Sequence, residues 1–358
     1  MAAMSGGVDS AVTAALLHEA GFDVIGVTLQ IWQEHAQTSR SGGCCSLGAV
    51  EDARRAANRI GIPHYVFNYR ETFAQNVIEQ FTREYAAGRT PNPCIECNRT
   101  VKFDELRRQS LELGADFLAT GHYARVRRNG ATGRYELLRA RNAAKDQSYA
   151  LYTLTQEQLE RTIMPLGEIE SKSQTRQLAF ELGLALAQKP ESQEICFVPA
   201  EGYPQYIKAH APEAMEPGDI VDTSGRVMGR HEGIALYTIG QRKRIKVANR
   251  EPLYVVAIDA PTATVVVGTN EEVYSKGLLA RNANWILFPR LKQPIATQVK
   301  IRYNGAGAPA CVIPTEGEAG SFEVHFDEPQ RAVTPGQAAV LYQADLVVGG
   351  GTIEKAII

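Results

Sequence analysis

The stretch Ser5-Gly6-Gly7-Val8-Asp9-Ser10 decides the fold, because it stands between a short apolar start, Met1 to Met4, and a helical pattern carried by Val12, Ala15 and Leu16. Adjacent glycines let the backbone approach a ligand and turn successive N–H groups toward it, and the first turn of the following helix adds unpaired donors. The product is an anion cradle. Ser5 and Ser10 contribute hydroxyls, and Asp9 is a carboxylate placed to hold a magnesium ion bridging phosphates. No Gly-Lys-Ser/Thr ending follows, so this is not a Walker A loop with its lysine on the β and γ phosphates. A Gly-Ser turn that merely caps a helix explains the Ser-Gly-Gly but not the whole hexapeptide between strand and helix. Such a loop ordinarily follows a full buried strand, so the natural start is expected a few residues upstream of Met1.

Outward from the loop, Gly21 is placed to end the first helix, Val24 to Trp32 reads as a buried strand, about Ala49 to Ile60 as a helix, and Pro63 to Asn68 as a further strand. Strands alternating with helices predict a parallel, doubly wound sheet, with ligands at the carboxyl ends of its strands. Thr72 to Ala87 reads as helix with Phe73, Val77, Phe81 and Tyr85 on one core-facing side. Thr90 to Asn98 is expected as a rigid loop, since Pro91 and Pro93 stiffen it. Lys102 to Gly114 returns to helix, Asp116 to Val126 to strand around a Gly121-His122-Tyr123 turn, and a helix opens near Ser173 and ends near Gly183.

Beyond Pro204 the character changes to short apolar runs (Leu253 to Ile258, Thr264 to Gly268, Thr297 to Tyr303, Phe322 to Phe326, Ala338 to Leu341) separated by Gly, Pro, Asp and Asn. That is the pattern of small antiparallel sheets or barrels. The expected division is an α/β nucleotide domain over 1–208, a small β-rich central domain over 209–272, and a C-terminal β-barrel over 273–358.

At 358 residues the chain is too long for one ordinary core, and 44% hydrophobic residues make it globular. The formal net charge is −2, but charge is uneven: seven Arg or Lys stand against Glu136 alone from Arg125 to Lys145, and five face no acid from Arg242 to Arg250. Local cation excess of this kind suits nucleic acid. No apolar run is long enough to cross a bilayer and no charged-then-apolar leader opens the chain, so a cytoplasmic location without membrane attachment is expected.

The six cysteines, Cys44, Cys45, Cys94, Cys97, Cys196 and Cys311, are too few and too irregular for a secreted disulfide framework. Cys94-x-x-Cys97 is a single pair, whereas a zinc site wants a second. Cys311 reads as a buried, inert thiol. The polar Glu191 to Glu194 neighbourhood of Cys196, and Arg99 and Lys102 near Cys97, favour reactive thiolates.

The loop resembles that of the PP-loop ATP pyrophosphatases, which cleave ATP between its α and β phosphates. With NPCIECNRTVKF, ATGHYARV, KDQSYAL, SQEICFV, GxxxYTIGQRK, the Arg302-Tyr303 pair and PGQAAVLY in order along essentially the whole chain, it resembles the tRNA-specific 2-thiouridylase branch. The resemblance implies that ATP adenylates the C2 oxygen of a wobble uridine and that sulfur replaces it. The sulfur would come from a persulfide on Cys196, with Cys97 as nucleophile and a Cys97–Cys196 disulfide as by-product, consistent with ordinary thiol exchange. It implies ATP phosphates at Ala3, Met4, Ser5, Gly6, Gly7, Val8, Asp9 and Ser10, with Leu29 and Gly121 near the nucleotide and magnesium at Asp9. Asn92, Pro93 and Cys94 would meet a target base splayed from the anticodon. His122, Lys145, Asp146, Gln147, Arg302, Tyr303 and Gln337 would touch tRNA. The implied partners are tRNAs for Lys, Glu and Gln, and a cysteine desulfurase or sulfur-relay protein.

One departure matters: many members carry Asp where this chain has Cys94. A third thiol leaves an iron–sulfur cluster on Cys94, Cys97 and Cys196 as an alternative route. Two other classes compete. An amidotransferase-like ligase needs an ammonia source that no second module supplies, and a non-catalytic RNA-binding protein needs the basic stretches but not the loop.

Overall fold

The computed structural model describes residues 1–31, 47–184, 195–198, 202–315 and 320–358. Cys44, Cys45, the Gln37 to Gly43 segment and the Glu191 to Glu194 neighbourhood lie outside the described residues.

The chain runs through β1 (Ala2–Ala3), α1 (Val8–Glu19), β2 (Gly26–Gln30), α2 (Leu47–Ile60), β3 (His64–Asn68), α3 (Arg70–Phe73), a π-turn at Ala74–Ile78 and α4 (Glu79–Ala86). Next come α5 (Pro93–Glu96), a π-helical stretch (Cys97–Leu106), α6 (Arg107–Glu112), β4 (Leu118–Ala119), the hairpin β5 (Ala124–Arg128) and β6 (Tyr135–Arg139), α7 (Gln156–Glu160), β7 (Thr162–Ile163), α8 (Lys172–Glu181) and α9 (Tyr203–His210). The rest is β8 (Gly218–Asp222), β9 (Val227–His231), β10 (Tyr254–Asp259), β11 (Thr264–Gly268), β12 (Tyr274–Trp285), β13 (Ile295–Lys300), β14 (Ala308–Pro314), β15 (Phe322–Arg331), β16 (Ala338–Gln343) and β17 (Leu346–Ile357).

Two compact units result. The first comprises Met1–Val77, Cys94–Ala200 and Asp345–Val347. Its sheet has the order β3-β2-β1-β4-β7, with every pairing parallel. Strand β1 therefore lies between β2 and β4, where the chain reverses its direction of travel across the sheet, and the Ser5–Ser10 loop leaves its carboxyl end. Ala2, Met4, Val8, Val12 and Ala119 join Ala53 and Ala57 of α2 and Ala179 of α8 in one buried cluster. Small residues there let the helices sit close to the sheet.

The second unit comprises Ile78–Pro93, Glu201–Ala344 and Val348–Ile358. It holds a four-stranded sheet, β10-β11-β8-β9, over a core of Ile220, Val255, Val265 and Val267. It also holds six strands in the order β12-β15-β14-β13-β16-β17, and β17 pairs back onto β12, which closes a barrel around Val299, Val312, Phe322, Val324 and Leu341. Closure removes the exposed strand edges that an open sheet would present.

Two expectations need correction. The Thr90 to Asn98 segment is not a loop throughout, for helix begins at Pro93 and carries both Cys94 and Cys97. Proline is well tolerated in the first turn, where its missing N–H has no partner to lose. The Thr72 to Ala87 helix is interrupted by the π-turn at Ala74–Ile78, although Phe73, Val77, Phe81 and Tyr85 are all buried as their spacing predicts.

Candidate active site

The phosphate loop is held by its own serines. Ser10 Oγ donates to the Gly7 carbonyl at 3.0 Å and accepts the Ser5 N–H at 3.0 Å, with Ser5 Oγ 3.3 Å away. Gly6 has φ +68°, and a Cβ there would stand 2.1 Å from the Ala49 carbonyl oxygen at the start of α2. Glycine is thus required twice over, by backbone and by space. Gly121, just after β4, lies so close that a Cβ would meet Ser10 N at 2.9 Å and the Asp9 carbonyl carbon at 3.0 Å. Leu29 is buried on β2 beside β1.

Asp9 sits in the first turn of α1, where the helix dipole favours a carboxylate. Its Oδ1 accepts from Lys172 Nζ at 2.5 Å and from Tyr123 Oη at 2.8 Å. With that proton given to Asp9, Tyr123 Oη accepts from Thr175 Oγ1 at 2.9 Å. Lys172 also lies 5.6 Å from the Tyr123 ring centroid. Magnesium in phosphate sites typically takes one or two carboxylates and completes its shell with phosphates and water. A single aspartate beside a backbone cradle fits that use.

His122 follows Gly121 in sequence, and the 145–147 turn is bonded to the next residue, Tyr123. His122 Nδ1 bonds Thr120 Oγ1 at 2.8 Å, and its ring lies 5.7 Å from Phe103. Burial first, and the Lys102 charge second, push its pKa well below the ordinary histidine value, so it is neutral at physiological pH. Gln147 and Tyr123 exchange two bonds, at 2.9 and 2.8 Å. Asp146 accepts from the N–H groups of Ala140 and Ser148 and from the Ser148 hydroxyl. These side chains fix the turn that carries Lys145.

Cys94 is exposed and Cys97 half-buried. Asn98, next to Cys97, is buried and donates to the Ala150 carbonyl at 3.0 Å. Of the cations near Cys97 in sequence, Arg99 pairs with Glu96 at 2.6 Å, and Lys102 donates to Asn98 Oδ1 at 3.1 Å. Cys196 is exposed in a short turn closed by Val198 N–H to the Ile195 carbonyl. The Phe197 ring packs edge-on against Phe73 at 5.7 Å and anchors that turn. Among the described residues no three His, Cys, Asp or Glu side chains are grouped to hold a metal ion. As placed, Cys94, Cys97 and Cys196 do not fit a cluster.

In the second unit, Gln337 Nε2 donates to the Thr90 carbonyl at 2.8 Å, two residues before Asn92 and three before Pro93. Arg302 Nη2 donates to the Ala332 carbonyl at 2.8 Å, and Tyr303 is exposed.

Three family models cover the chain: residues 1–200 match one described as tRNA methyl transferase HUP domain, 204–269 its PRC-barrel domain, and 275–353 an aminomethyltransferase β-barrel domain. A protein of Heliobacterium modesticaldum named tRNA-specific 2-thiouridylase MnmA is 53% identical over 99% of this chain and 91% of its own length. This chain belongs to the tRNA-specific 2-thiouridylase family. Proteins of the same name from Clostridioides difficile and Carboxydothermus hydrogenoformans are 49% and 51% identical over 100% of this chain and 98% of theirs. The domain descriptions mention methyl transfer, but the full-length thiouridylase matches outweigh a label attached to separate domains. Within this 2-thiouridylase, Lys172, Tyr123 and Thr175 were missed by sequence reasoning. Tyr123 stands inside the ATGHYARV motif, yet nothing in the spacing of Lys172 or Thr175 points to Asp9. Among the described residues no helix is long and apolar enough to cross a membrane.

Proposed function

We propose that this chain is an ATP-dependent sulfurtransferase that places sulfur at C2 of the wobble uridine in tRNA anticodons. The observation that carries the reading is the preorganised Ser5–Ser10 cradle at the carboxyl edge of a parallel sheet, in a chain whose full-length relatives bear the thiouridylase name. A pyrimidine carbonyl oxygen leaves poorly. Attack of the uridine O2 on the α-phosphorus of ATP expels pyrophosphate and converts that oxygen into part of an AMP leaving group. Backbone donors of Gly6 and Gly7 and the α1 terminus act on the charge of the phosphates.

Sulfur then arrives as a Cys196 persulfide loaded by a cysteine desulfurase or relay protein. Cys97 thiolate attacks the Cys196 sulfur, the terminal sulfur departs to the activated carbon, AMP leaves, and a Cys97–Cys196 disulfide remains for external thiol to reduce. The exposure of Cys196 suits loading by a protein donor. Asn92, Pro93 and Cys94 receive the splayed base, while His122, Lys145, Asp146, Gln147, Arg302, Tyr303 and Gln337 serve tRNA, those for Lys, Glu and Gln among them. The setting is the reducing cytoplasm.

The test is reconstitution. Purified chain with ATP, magnesium, a persulfide donor and unmodified tRNA should give 2-thiouridine by nucleoside mass spectrometry, with AMP and pyrophosphate in equal amounts. Binding of tRNA with no AMP release would replace the enzyme by an RNA-binding protein.

A further inference from the structure

The adenylation and sulfur-transfer steps give no task to the cation-rich turn that runs from Arg242 to Arg250. We infer that Arg242, Lys243 and Arg244 clamp the phosphodiester backbone of tRNA beside the segment that receives the target base. The inference rests on the tRNA reading of the chain.

Three observations carry it. The first is open charge. Arg242, Lys243 and Arg244 are exposed and enter no ion pair among the described residues, while Lys246 is partnered by Glu232 at 3.4 Å. In the other basic stretch Arg125, Arg127 and Arg141 already pair with Asp345, Glu136 and Glu168 at 3.0, 2.6 and 2.5 Å. Crowded like charges without counter-ions repel one another, and a polyanion relieves that repulsion.

The second is a backbone built to present them. Ile245 is 4% exposed and packs with Ile220, Tyr237 and Val255 in the core of the small sheet. Its two neighbours, Arg244 at φ +73° and Lys246 at φ +52°, take the left-handed conformation that residues other than glycine avoid. Gln241 holds the turn: its side chain accepts the Thr238 N–H at 3.1 Å and donates to the Leu236 and Lys243 carbonyls at 3.3 and 2.8 Å. Strain of this kind persists where surrounding structure enforces it, and it clusters at binding sites.

The third is position within the second unit. A Cβ on Gly240 would stand 2.6 Å from the Ala332 Cβ, and Arg331 donates to the Gly240 carbonyl at 3.3 Å. Arg302 donates to the neighbouring Ala332 carbonyl. Thr238 Oγ1 is 3.4 Å from the Oγ1 of Thr90, whose carbonyl accepts from Gln337. The turn therefore adjoins Arg302, Gln337 and the start of the Thr90 to Pro93 segment. Ile245, the apolar residue among these cations, is turned inward, so the surface offers charge without the apolar centre of a protein interface. Phosphates ask for charge alone.

The test is the salt dependence of tRNA binding by the full chain, between about 0.05 and 0.3 M KCl. Replacing Arg242, Lys243 and Arg244 together by Gln should flatten the slope of log affinity against log salt by about two to three, ~0.7–0.9 for each lost phosphate contact. Cognate and non-cognate tRNA should weaken by the same factor, because backbone contacts read no sequence, and ATP affinity should stay within about twofold of wild type, as expected of residues outside the nucleotide site. Arg244→Gly, whose glycine takes the left-handed backbone without strain, should weaken tRNA as Arg244→Gln does, so that a distorted turn cannot account for the loss. An unchanged slope, or wild-type affinity in Arg244→Gly, would overturn the clamp. A matching fall in ATP affinity would make the turn a nucleotide site, and lost persulfide loading with an unchanged slope would make it a docking face for the sulfur donor; either overturns the inference. Wild-type chain that binds tRNA without thiolating it would fail the proposed function and leave the clamp standing, whereas wild-type chain that binds no tRNA would end both.

Discussion

Ser10 closes the phosphate loop on Ser5: its hydroxyl accepts the Ser5 N–H at 3.0 Å while donating to the Gly7 carbonyl at the same distance. Ser10 is buried, so Ser10→Ala leaves the Ser5 N–H without this acceptor. A lost partner of this kind costs about 1–3 kcal/mol. Ser10→Ala should therefore lower the denaturation midpoint and raise KM for ATP while leaving KM for tRNA nearly unchanged. Parallel rises in both would place the loop's role outside nucleotide binding.

Gly6 and Gly121 approach the same turn from different sides, and their alanine variants should differ. At Gly6 the left-handed φ and a Cβ 2.1 Å from the Ala49 carbonyl oxygen combine strain with collision, so Gly6→Ala should lower stability by several kcal/mol, the range of overpacking added to strain, about 2–5 kcal/mol. Gly121→Ala meets the backbone of α1, with Ser10 N at 2.9 Å and the Asp9 carbonyl carbon at 3.0 Å, so the collision displaces the helix start that carries Asp9 and Ser10. Its signature should be a higher KM for ATP with a fall in stability smaller than that of Gly6→Ala, since no left-handed φ adds strain. Thermal melts beside ATP titrations distinguish the two.

The loop and the parallel sheet were legible because adjacent glycines, capping hydroxyls and alternating apolar runs are local signals. Strands β10 and β11 fell where short apolar runs bounded by Gly and Asp placed them, while β12 and β17 did not stand out. Both are 12 residues long, and polar stretches such as Arg281-Asn282-Ala283-Asn284 interrupt their apolar pattern. The helix starting at Pro93 was hidden because proline reads as a breaker, although at a first turn it is a starter. The π-turns leave no mark in composition. Least visible was Lys172 beside Asp9, 163 positions apart, since only the folded arrangement of α1 and α8 joins them.

His122 should register in stability against pH. Burial and then Lys102 hold its folded pKa well below the value near 6.5 that it regains on unfolding. Between those two values the unfolded chain binds the proton and the folded chain does not, so stability falls as pH drops below about 6.5, by up to ~1.4 kcal/mol per unit for one such group. Burial lowers His64 and His231 in the same direction, so His122→Asn should remove only its own share. Denaturant melts at pH 7.5 and 5.5 should lose less stability in His122→Asn than in wild type. An unchanged loss would mean that His122 titrates normally.

Cys94 separates two chemistries for the sulfur step. If Cys97 and Cys196 are the working pair, Cys97→Ser and Cys196→Ser should each abolish 2-thiouridine formation, and Cys196→Ser should still accumulate adenylated tRNA, because activation precedes sulfur transfer. Cys94→Asp should stay active. The position is exposed in the first turn of α5, where a carboxylate is favoured by the helix end, and it accepts hydrogen bonds or moves a proton at least as readily as a thiol. A cluster on three thiolates demands the opposite, since exchanging one soft ligand for a hard carboxylate weakens iron binding. The deciding measurement is thiolation by anaerobically purified Cys94→Asp, with iron determined on the same sample. Activity without iron eliminates the cluster, whereas joint loss of iron and activity eliminates the persulfide pair.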